Sequence, residues 1–111
     1  MLTEKHFASM MPHATFLNTG RGAQVIEDDL VRVLEQRPDL TAVLDVTEPE
    51  PPLPGHGFYR LPNCILTPHM AGSSGWEVRR MGVFMLEEFR RFTAGEACQY
   101  EVSLKMLETM A

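Results

Sequence analysis

The sequence has 111 residues, a length that allows at most one domain. Hydrophobic residues make up 44% of it, which is enough for a packed core and argues against disorder. The formal net charge of −5 disfavours a nucleic-acid-binding surface. Cys64 and Cys98 lack paired spacing, which is typical of a reducing compartment. Neither an apolar leader nor a run of membrane-spanning length occurs, so we expect a soluble cytoplasmic protein without a membrane partner.

The first half of the chain predicts alternating helices and strands. Thr3 can cap a short helix over residues 4–10. The apolar run at 14–17 predicts a strand, followed by a glycine-punctuated turn at 18–22. A helix over 25–36 is indicated by apolar residues on one face, namely Ile26, Leu30 and Leu34. The run Thr41–Val46 is nearly all apolar, as buried parallel strands are.

The second half begins with a proline-rich segment. Residues 47–55 contain four prolines, which forbid helix and sheet, so we predict a long irregular loop. Residues 64–66 predict a buried strand, which Thr67-Pro68 ends because proline has no N–H to give to a sheet.

A long helix is predicted over residues 76–93, closed by Gly95, and a weaker one over 103–110. The arginine pairs of the long helix are interleaved with glutamates, which indicates a solvated face and not a nucleic-acid patch. One side of the long helix carries a stripe of apolar side chains. We interpret the stripe as part of the core or of a subunit contact, and we expect it to be exposed where its usual partners are missing. The stripe consists of Met81, Phe84, Met85, Phe89 and Phe92.

Strands that alternate with helices indicate the α/β class with a parallel sheet. Three strands make a small sheet, and a parallel sheet is usually covered on both faces. Its open edge needs a partner. We therefore predict that the chain forms part of a larger sheet.

Three charged or titratable residues follow the ends of successive strands: Arg21, Glu50 and His69. The carboxyl ends of parallel strands meet at one edge, where ligands bind in open α/β sheets. An arginine binds a carboxylate through two bonds, a histidine transfers protons near neutral pH, and an adjacent glutamate favours the imidazolium. Together they suit reduction of a keto acid by a cofactor's hydride, with Arg21 holding the substrate and His69 protonating the carbonyl oxygen.

Plainer interpretations of these residues stay open. Arg21 could bond only to turn carbonyls, Glu50 could be a solvated loop charge, and His69 could be a surface histidine. Glu48 is an equally good carboxylate by spacing alone. The histidines show no metal-ligand spacing and no cysteine joins them, so no metal site is predicted.

The stretch from Gly20 to Val25 partly matches the glycine fingerprint of dinucleotide-binding turns, since it follows a strand and precedes a helix. Val25 occupies the third glycine position, which close helix–strand packing requires. Arg21 inside the turn is also awkward for a pyrophosphate pocket of this shape. We reject the stretch as a pyrophosphate-binding turn.

Three motifs in order, with matching gaps, resemble the D-isomer-specific 2-hydroxyacid dehydrogenases over about residues 2–95. The motifs are Asn18-Thr19-Gly20-Arg21-Gly22, Leu44-Asp45-Val46 with Glu50-Pro51 five residues after the aspartate, and Leu61-Pro62-Asn63 leading to Leu66-Thr67-Pro68-His69-Met70-Ala71-Gly72.

The resemblance implies roles for individual residues. Arg21 matches the substrate-binding arginine, Glu50 the glutamate that pairs with the catalytic histidine, and His69 the proton donor. Asp45 would hold the nicotinamide carboxamide; the alternative is a strand-end aspartate that caps a turn. The positions that match the nicotinamide end of NAD are Thr19, Gly20, Arg21, Asp45, His69, Met70, Ala71 and Gly72.

The family's glycine-rich turn, its acidic ribose-binding residue and its separate substrate-binding domain do not occur in these 111 residues. The resemblance therefore implies a partial Rossmann fold, the second half of a doubly wound sheet, over residues 1–95 with a tail at 96–111. The expected cofactor is NAD, with NADP not excluded, and the substrate of the full-length enzyme is a small 2-hydroxy or 2-oxo acid. The isolated chain is expected to be inactive, because half a cofactor site loses more than half of the affinity.

A second hypothesis is a stand-alone, non-catalytic remnant that acts as a dimerisation or interaction module through its open edge and apolar helix. The missing glycine-rich turn favours this second hypothesis for the isolated chain. For the ancestry of the chain, the same feature favours the dehydrogenase hypothesis. Under either hypothesis we expect a homodimer or larger. The sequence leaves open whether Met1 is a natural start or a truncation.

Overall fold

The structure is a computed structural model that describes residues 1–107. The chain divides into two compact units, Met1–Ala71 and a second that begins at Gly72. The first unit contains α1 (Glu4–Ala8), β1 (Thr15–Asn18), α2 (Glu27–Gln36), β2 (Thr41–Leu44) and β3 (Cys64–Leu66), with short 3-10 turns at Gly22–Gln24 and Gly57–Tyr59. The second contains α3 (Trp76–Ala94) and α4 (Leu104–Leu107).

The three strands form one parallel sheet in the order β1-β2-β3. Asn18 pairs with Leu44, and Leu44 pairs with Leu66, so the carboxyl ends of all three strands are level. The predicted α/β class with a small parallel sheet is confirmed. β3 occupies the predicted residues, whereas β1 begins and ends one residue later than predicted.

One face of the sheet carries the core. Ala42 and Leu44 of β2 are buried against apolar side chains of α1 and α2. Alternate residues of a strand point to opposite faces, so these two share a face. The buried cluster consists of Phe7, Val25, Leu30, Val33, Leu34, Leu40, Ala42, Leu44 and Phe58.

The opposite face carries the row Leu17–Val43–Ile65, in which each residue pairs with the next across the strands. Leu17 is 60% exposed and Ile65 is 51% exposed. The prediction of a buried strand at 64–66 is therefore wrong for Ile65. Ile65 is exposed because, within Met1–Ala71, the helices contribute to the core on the other face of the sheet.

α2 begins two residues later than predicted because the preceding segment pairs with the start of the chain. The Leu2 N–H donates to the Gln24 carbonyl at 2.7 Å, and the Ile26 N–H donates to the Leu2 carbonyl at 2.9 Å. This bridge keeps Val25 extended. A contact with a residue so distant in sequence has no local sequence signal.

In the second unit, α3 ends at Gly95, whose φ of 70° is the left-handed conformation that glycine adopts at helix ends. This closure was predicted, and the stripe of methionine and phenylalanine side chains on α3 is exposed. Of the helix predicted over 103–110, one turn is seen as α4, and residues 108–110 lie outside the described part. No helix among residues 1–107 is long and apolar enough to span a bilayer.

Asn63, which precedes β3, satisfies the carboxyl end of α2. Its side-chain amide donates to the carbonyls of Leu34 at 3.1 Å and Leu40 at 3.0 Å, and lies 3.4 Å from that of Arg37. Helix ends leave carbonyls without internal partners, so this side chain supplies the missing donor.

We expect Asn63→Ala to lower the free energy of unfolding by about 1–2 kcal/mol, because part-buried carbonyls lose their donor. Urea unfolding followed by circular dichroism measures the change. The control is Gln36→Ala, an exposed residue of the same helix end, which we expect to change stability by less than about 0.5 kcal/mol. Equal effects of the two variants would contradict the capping role.

Candidate active site at the carboxyl edge of the sheet

The loop after β3 is held by a carboxylate at the end of β2. Asp45 is only 3% exposed. Its Oδ1 accepts from the Met70 N–H at 2.9 Å and from the Thr67 hydroxyl, and its Oδ2 accepts from the Ala71 N–H at 2.7 Å. These donors, the Thr67 hydroxyl first, hold the pKa of Asp45 below its usual value. Asp45 therefore makes the turn-capping contacts of the plainer interpretation, and its contact with a carboxamide stays a prediction.

His69 lies inside this held loop. Its φ of 47° is left-handed, and its N–H donates to the Thr67 carbonyl at 3.0 Å. The ring Nδ1 lies 2.6 Å from Glu50 Oε1, and both side chains are about 40% exposed. Since an ionised carboxylate only accepts, Nδ1 carries the shared proton. Nε2 is then the ring atom that can exchange a proton with a ligand.

The contact with His69 distinguishes the two glutamates that sequence spacing could not separate. Glu50 reaches the imidazole, whereas Glu48 is bonded through its backbone N–H to Glu27 Oε1 at 2.8 Å. A cavity of about 460 Å³ adjoins the Glu50–His69 pair. Its lining residues are Leu44, Asp45, Thr47, Glu50, Pro51, Pro52, Tyr59, Leu66, Thr67, Pro68 and His69. The pair therefore borders a mostly apolar cavity large enough for a small organic ligand.

Arg21 follows β1 at the same edge of the sheet. The buried side chain of Asn18 shapes its turn by donating to the Arg21 carbonyl and accepting from the Gly20 N–H, both at 3.1 Å. The Arg21 side chain is exposed, and among residues 1–107 its guanidinium makes no hydrogen bond or ion pair. It therefore bonds neither to turn carbonyls nor to Glu50 or His69. An unpaired guanidinium at the same edge of the sheet as the Glu50–His69 pair can bind an anionic ligand.

The remaining predicted cofactor positions lie near the ends of β1 and β3. Thr19 and Gly20 follow β1 and are exposed, as are Met70 and Ala71 after β3. Gly72, with a φ of 131°, opens the second unit in a conformation that favours glycine. Exposed small residues at the carboxyl edge of a parallel sheet fit an extended ligand lying along that edge.

Sequence reasoning missed the packing of Gly22. This residue is buried, and a Cβ added to it would lie 2.0 Å from the Thr47 carbonyl carbon. The turn that carries Arg21 is thus packed directly on the backbone that leads to Glu50. The sequence shows a glycine after the arginine, which can indicate a close backbone approach. It does not show which backbone segment approaches.

Asp45 is expected to make the thermal stability of the protein depend on pH. We expect Asp45→Asn to lower Tm by at least about 5 °C at pH 7, because its amide nitrogen faces backbone donors. The pKa of Asp45 is lowered on folding, so its stabilisation is complete above the unfolded-state value of about 3.9 and disappears at lower pH. Thermal melts from pH 7 to pH 2.5 should show the two proteins converging below about pH 4.

The control for this prediction is Asp28→Asn, an exposed aspartate of α2. It should leave Tm nearly unchanged throughout the pH range. A Tm difference between wild type and Asp45→Asn that stays constant down to pH 2.5 would contradict the assignment.

The sheet, its level carboxyl edge and the acid–base pair define half of a Rossmann-type nucleotide-binding domain. A sequence model described as "D-isomer specific 2-hydroxyacid dehydrogenase, NAD binding domain" matches residues 1–71. The chain belongs to this family. The predicted resemblance and the partial Rossmann class are confirmed.

Individual relatives agree with this assignment. Glyoxylate/hydroxypyruvate reductase A of Serratia proteamaculans is 42% identical over 71 residues, which are 64% of this chain and 23% of that protein. A D-isomer specific 2-hydroxyacid dehydrogenase from Xanthobacter autotrophicus, solved with NADPH and MES, matches with a TM-score of 0.76 and 31% identity over 90% of this chain and 40% of that one. D-lactate dehydrogenase from Lactobacillus jensenii, solved with NAD+, matches with a TM-score of 0.75 and 28% identity over 93% and 35%.

The chain spans about a quarter to a third of the length of curated relatives that it matches. The matched part is the NAD(P)-binding domain, and the relatives are oxidoreductases.

Proposed function

We propose that this chain supplies the catalytic half of the cofactor domain of an NAD-dependent D-2-hydroxyacid dehydrogenase. The observation that carries the proposal is the 2.6 Å contact between His69 Nδ1 and Glu50 Oε1 at the carboxyl edge of the sheet. A histidine oriented by a carboxylate through one nitrogen can transfer a proton through the other. The unpaired Arg21 on the neighbouring turn supplies a carboxylate-binding group.

In this proposal each residue has a distinct task. His69 Nε2 gives a proton to the 2-oxo oxygen of the substrate, or removes one from the 2-hydroxyl in the reverse direction. Glu50 fixes the ring orientation through the contact between its Oε1 and His69 Nδ1. Arg21 binds the substrate carboxylate through its planar fork. The nicotinamide supplies or accepts the hydride when it is bound.

The nicotinamide end of the cofactor would lie along Thr19, Gly20, Arg21 and Asp45 and the segment 69–72. Asp45 Oδ2 accepts one hydrogen bond, from the Ala71 N–H, and this oxygen can accept a second. We propose NAD as the cofactor, and relatives solved with NADPH and with NAD+ make both worth testing. Relatives named for glyoxylate, hydroxypyruvate and D-lactate support a small 2-oxo or 2-hydroxy acid as the substrate.

We assign residues 1–95 to the partial NAD-binding domain and 96–111 to a tail. The family match ends at residue 71, and a pairwise match with another relative extends over 95 residues, which supports a boundary well beyond the sheet. The segment 1–71 is shorter than this domain and still carries Arg21, Glu50 and His69. It is therefore the part to transplant in a functional test.

The experiment is a chimera in which residues 1–71 replace the matching segment of the Serratia proteamaculans reductase, which supplies the rest of the enzyme. We expect the chimera to oxidise NADH or NADPH with glyoxylate. Glu50→Gln should lower kcat by about 10- to 100-fold across the pH range, because the His69 ring loses the carboxylate that orients it. Steady-state kinetics from pH 5 to pH 9 provide the measurement.

Glu48→Gln is the matched control, because Glu48 contributes only its backbone N–H to the contacts described above. It should leave kcat and its pH profile unchanged. A chimera that folds, as judged by circular dichroism, yet shows no turnover would contradict the proposed function. Equal losses in the two glutamine variants would contradict the role of Glu50.

The second candidate is a non-catalytic interaction module, which the exposed Leu17 and Ile65 on either side of the half-buried Val43 favour. We propose a homodimer for this case. Light scattering should then show a dimer at about 100 μM chain, and a clean monomer would contradict it. Saturable fluorescence quenching by micromolar NADH in the 111-residue chain would exclude the non-catalytic reading.

A further inference from the structure

The loop that carries Glu50 is attached at both ends to one side chain of α2. Glu27 is the first residue of that helix, and its side chain is 11% exposed. Its Oε1 accepts from the Glu48 N–H at 2.8 Å, and its Oε2 lies 3.7 Å from His56 Nε2. Glu48 opens the segment 48–56 and His56 closes it, so a single carboxylate contacts both ends.

Few other bonds fix the conformation of segment 48–56. Its four prolines have no backbone N–H to donate. The Thr47 hydroxyl donates to the Pro49 carbonyl at 2.9 Å, and the Tyr59 hydroxyl donates to the Pro52 carbonyl at 3.0 Å. Both of these bonds lie within the stretch 47–59. The bond that Glu27 accepts from the Glu48 N–H therefore ties the segment to a regular helix, and the 3.7 Å contact with His56 adds a second link to the same carboxylate.

A second contact supports the same attachment at the carboxyl end of the segment. A Cβ added to Gly57 would lie 2.6 Å from Val31 Cγ1, so the backbone after His56 is packed on α2. Phe58 is buried in the core beside it. The Glu48 end follows the buried Thr47, whose backbone packs on Gly22, and Glu48 with Pro49 borders a cavity of about 410 Å³. At that end the hydrogen bond to Glu27 Oε1 is what ties the Glu48 N–H to α2.

Glu50 lies two residues from the anchored Glu48, and its carboxylate is 2.6 Å from His69 Nδ1. A hydrogen bond at this distance is lost when one partner moves by about 1 Å. We propose that Glu27 is a positioning residue, which holds Glu50 against His69 by clamping the loop between them to α2. The inference rests on the proposed function for its catalytic meaning, and on the contacts alone for its geometry.

The surroundings of Glu27 suit a clamp. Burial raises the pKa of Glu27, whereas the bond from the Glu48 N–H and the charge of His56 oppose that rise. Glu48 and Asp28 are the like-charged groups nearby. The carboxylate thus depends on its two loop partners to offset its burial, which couples the loop position to the helix.

The test uses the ¹⁵N-labelled full chain and needs neither cofactor nor substrate. Long-range ¹H–¹⁵N spectra report the His69 ring nitrogens, and amide exchange reports the Glu48 N–H. In Glu27→Ala we expect the Glu48 amide to exchange at least about tenfold faster. The His69 ring signals should move to the positions they take in Glu50→Gln, which defines the broken pair. Glu27→Gln keeps an accepting oxygen and should restore most of both signals.

Asp28→Ala is the control, since it removes an exposed carboxylate from the same helical turn. It should leave both readouts unchanged. Unmoved His69 signals in a folded Glu27→Ala variant would overturn the proposal. If that variant does not fold, the wild-type chain decides: a protected Glu48 amide supports the clamp, and free exchange overturns it. An inactive chimera with an intact clamp would instead count against the proposed function alone.

Discussion

Gly22→Ala is expected to unfold the unit Met1–Ala71, or to lower its free energy of unfolding by at least about 3 kcal/mol. A Cβ at this position would lie 2.0 Å from the Thr47 carbonyl carbon and 2.2 Å from its oxygen. Both atoms belong to the backbone, so no change of side-chain rotamer relieves the clash. Either the turn after β1 or the start of the proline-rich loop must move. Urea unfolding followed by circular dichroism measures the loss.

Gly20→Ala is the matched control, because it adds the same methyl group in the same turn. Its Cβ would meet the end of the Gln24 side chain at 3.0 Å, and that side chain can rotate away. We expect a change below about 1 kcal/mol. Comparable losses of stability for the two variants would show that the turn is intolerant of alanine in general. The contact with Thr47 would then not be the cause of the loss in Gly22→Ala.

His69→Asn in the reductase chimera is expected to lower kcat about 10³-fold, because the proposed proton donor is lost. KM for the 2-oxo acid should change much less, since our proposal assigns binding of the carboxylate to Arg21. Asparagine tolerates the left-handed backbone that His69 adopts, with its φ of 47°, so the loop held by Asp45 should persist. Steady-state kinetics with glyoxylate give the measurement, and chromatographic and spectroscopic checks confirm folding.

His13→Asn provides an unusually close control. His13 also has a left-handed φ, of 62°, and lies in the turn before β1, away from the carboxyl edge. The same substitution in the same backbone conformation should leave kcat within about twofold of the chimera. A loss of less than about tenfold for His69→Asn would rule out His69 as the main proton donor.

Much of this fold follows from periodicity and chain-breaking residues. The apolar runs at 41–44 and 64–66 become strands because β-branched and aliphatic side chains suit a pleated sheet. Gly95 closes α3 because it adopts a left-handed conformation at little cost. The carboxyl ends of these parallel strands are level, so strand order predicts that the loop after β2, with Glu50, and the loop after β3, with His69, start at one edge.

What the sequence could not provide are contacts between residues far apart in the chain. The bridge between Leu2 and Val25 delays α2, and Asn63 satisfies a helix end more than twenty residues away. The exposure of Ile65 depends on which face the helices cover, and strand periodicity is the same for either face. Glu27 is one of three acidic residues in the first turn of α2, and only the folded chain shows that its carboxylate contacts the loop.

The register of the sheet also bears on how quickly the unit forms. Thr41 pairs with Thr15, and Cys64 pairs with Ala42, so each strand pairing must close more than twenty residues of chain. Such pairings gain no hydrogen bonds until the ends meet, and folding rates fall as contacts become less local. Because the entropy of closure grows only logarithmically, doubling the second connection would cost about 0.6 kcal/mol. Insertions into the proline-rich loop should therefore change refolding times more visibly than equilibrium stability.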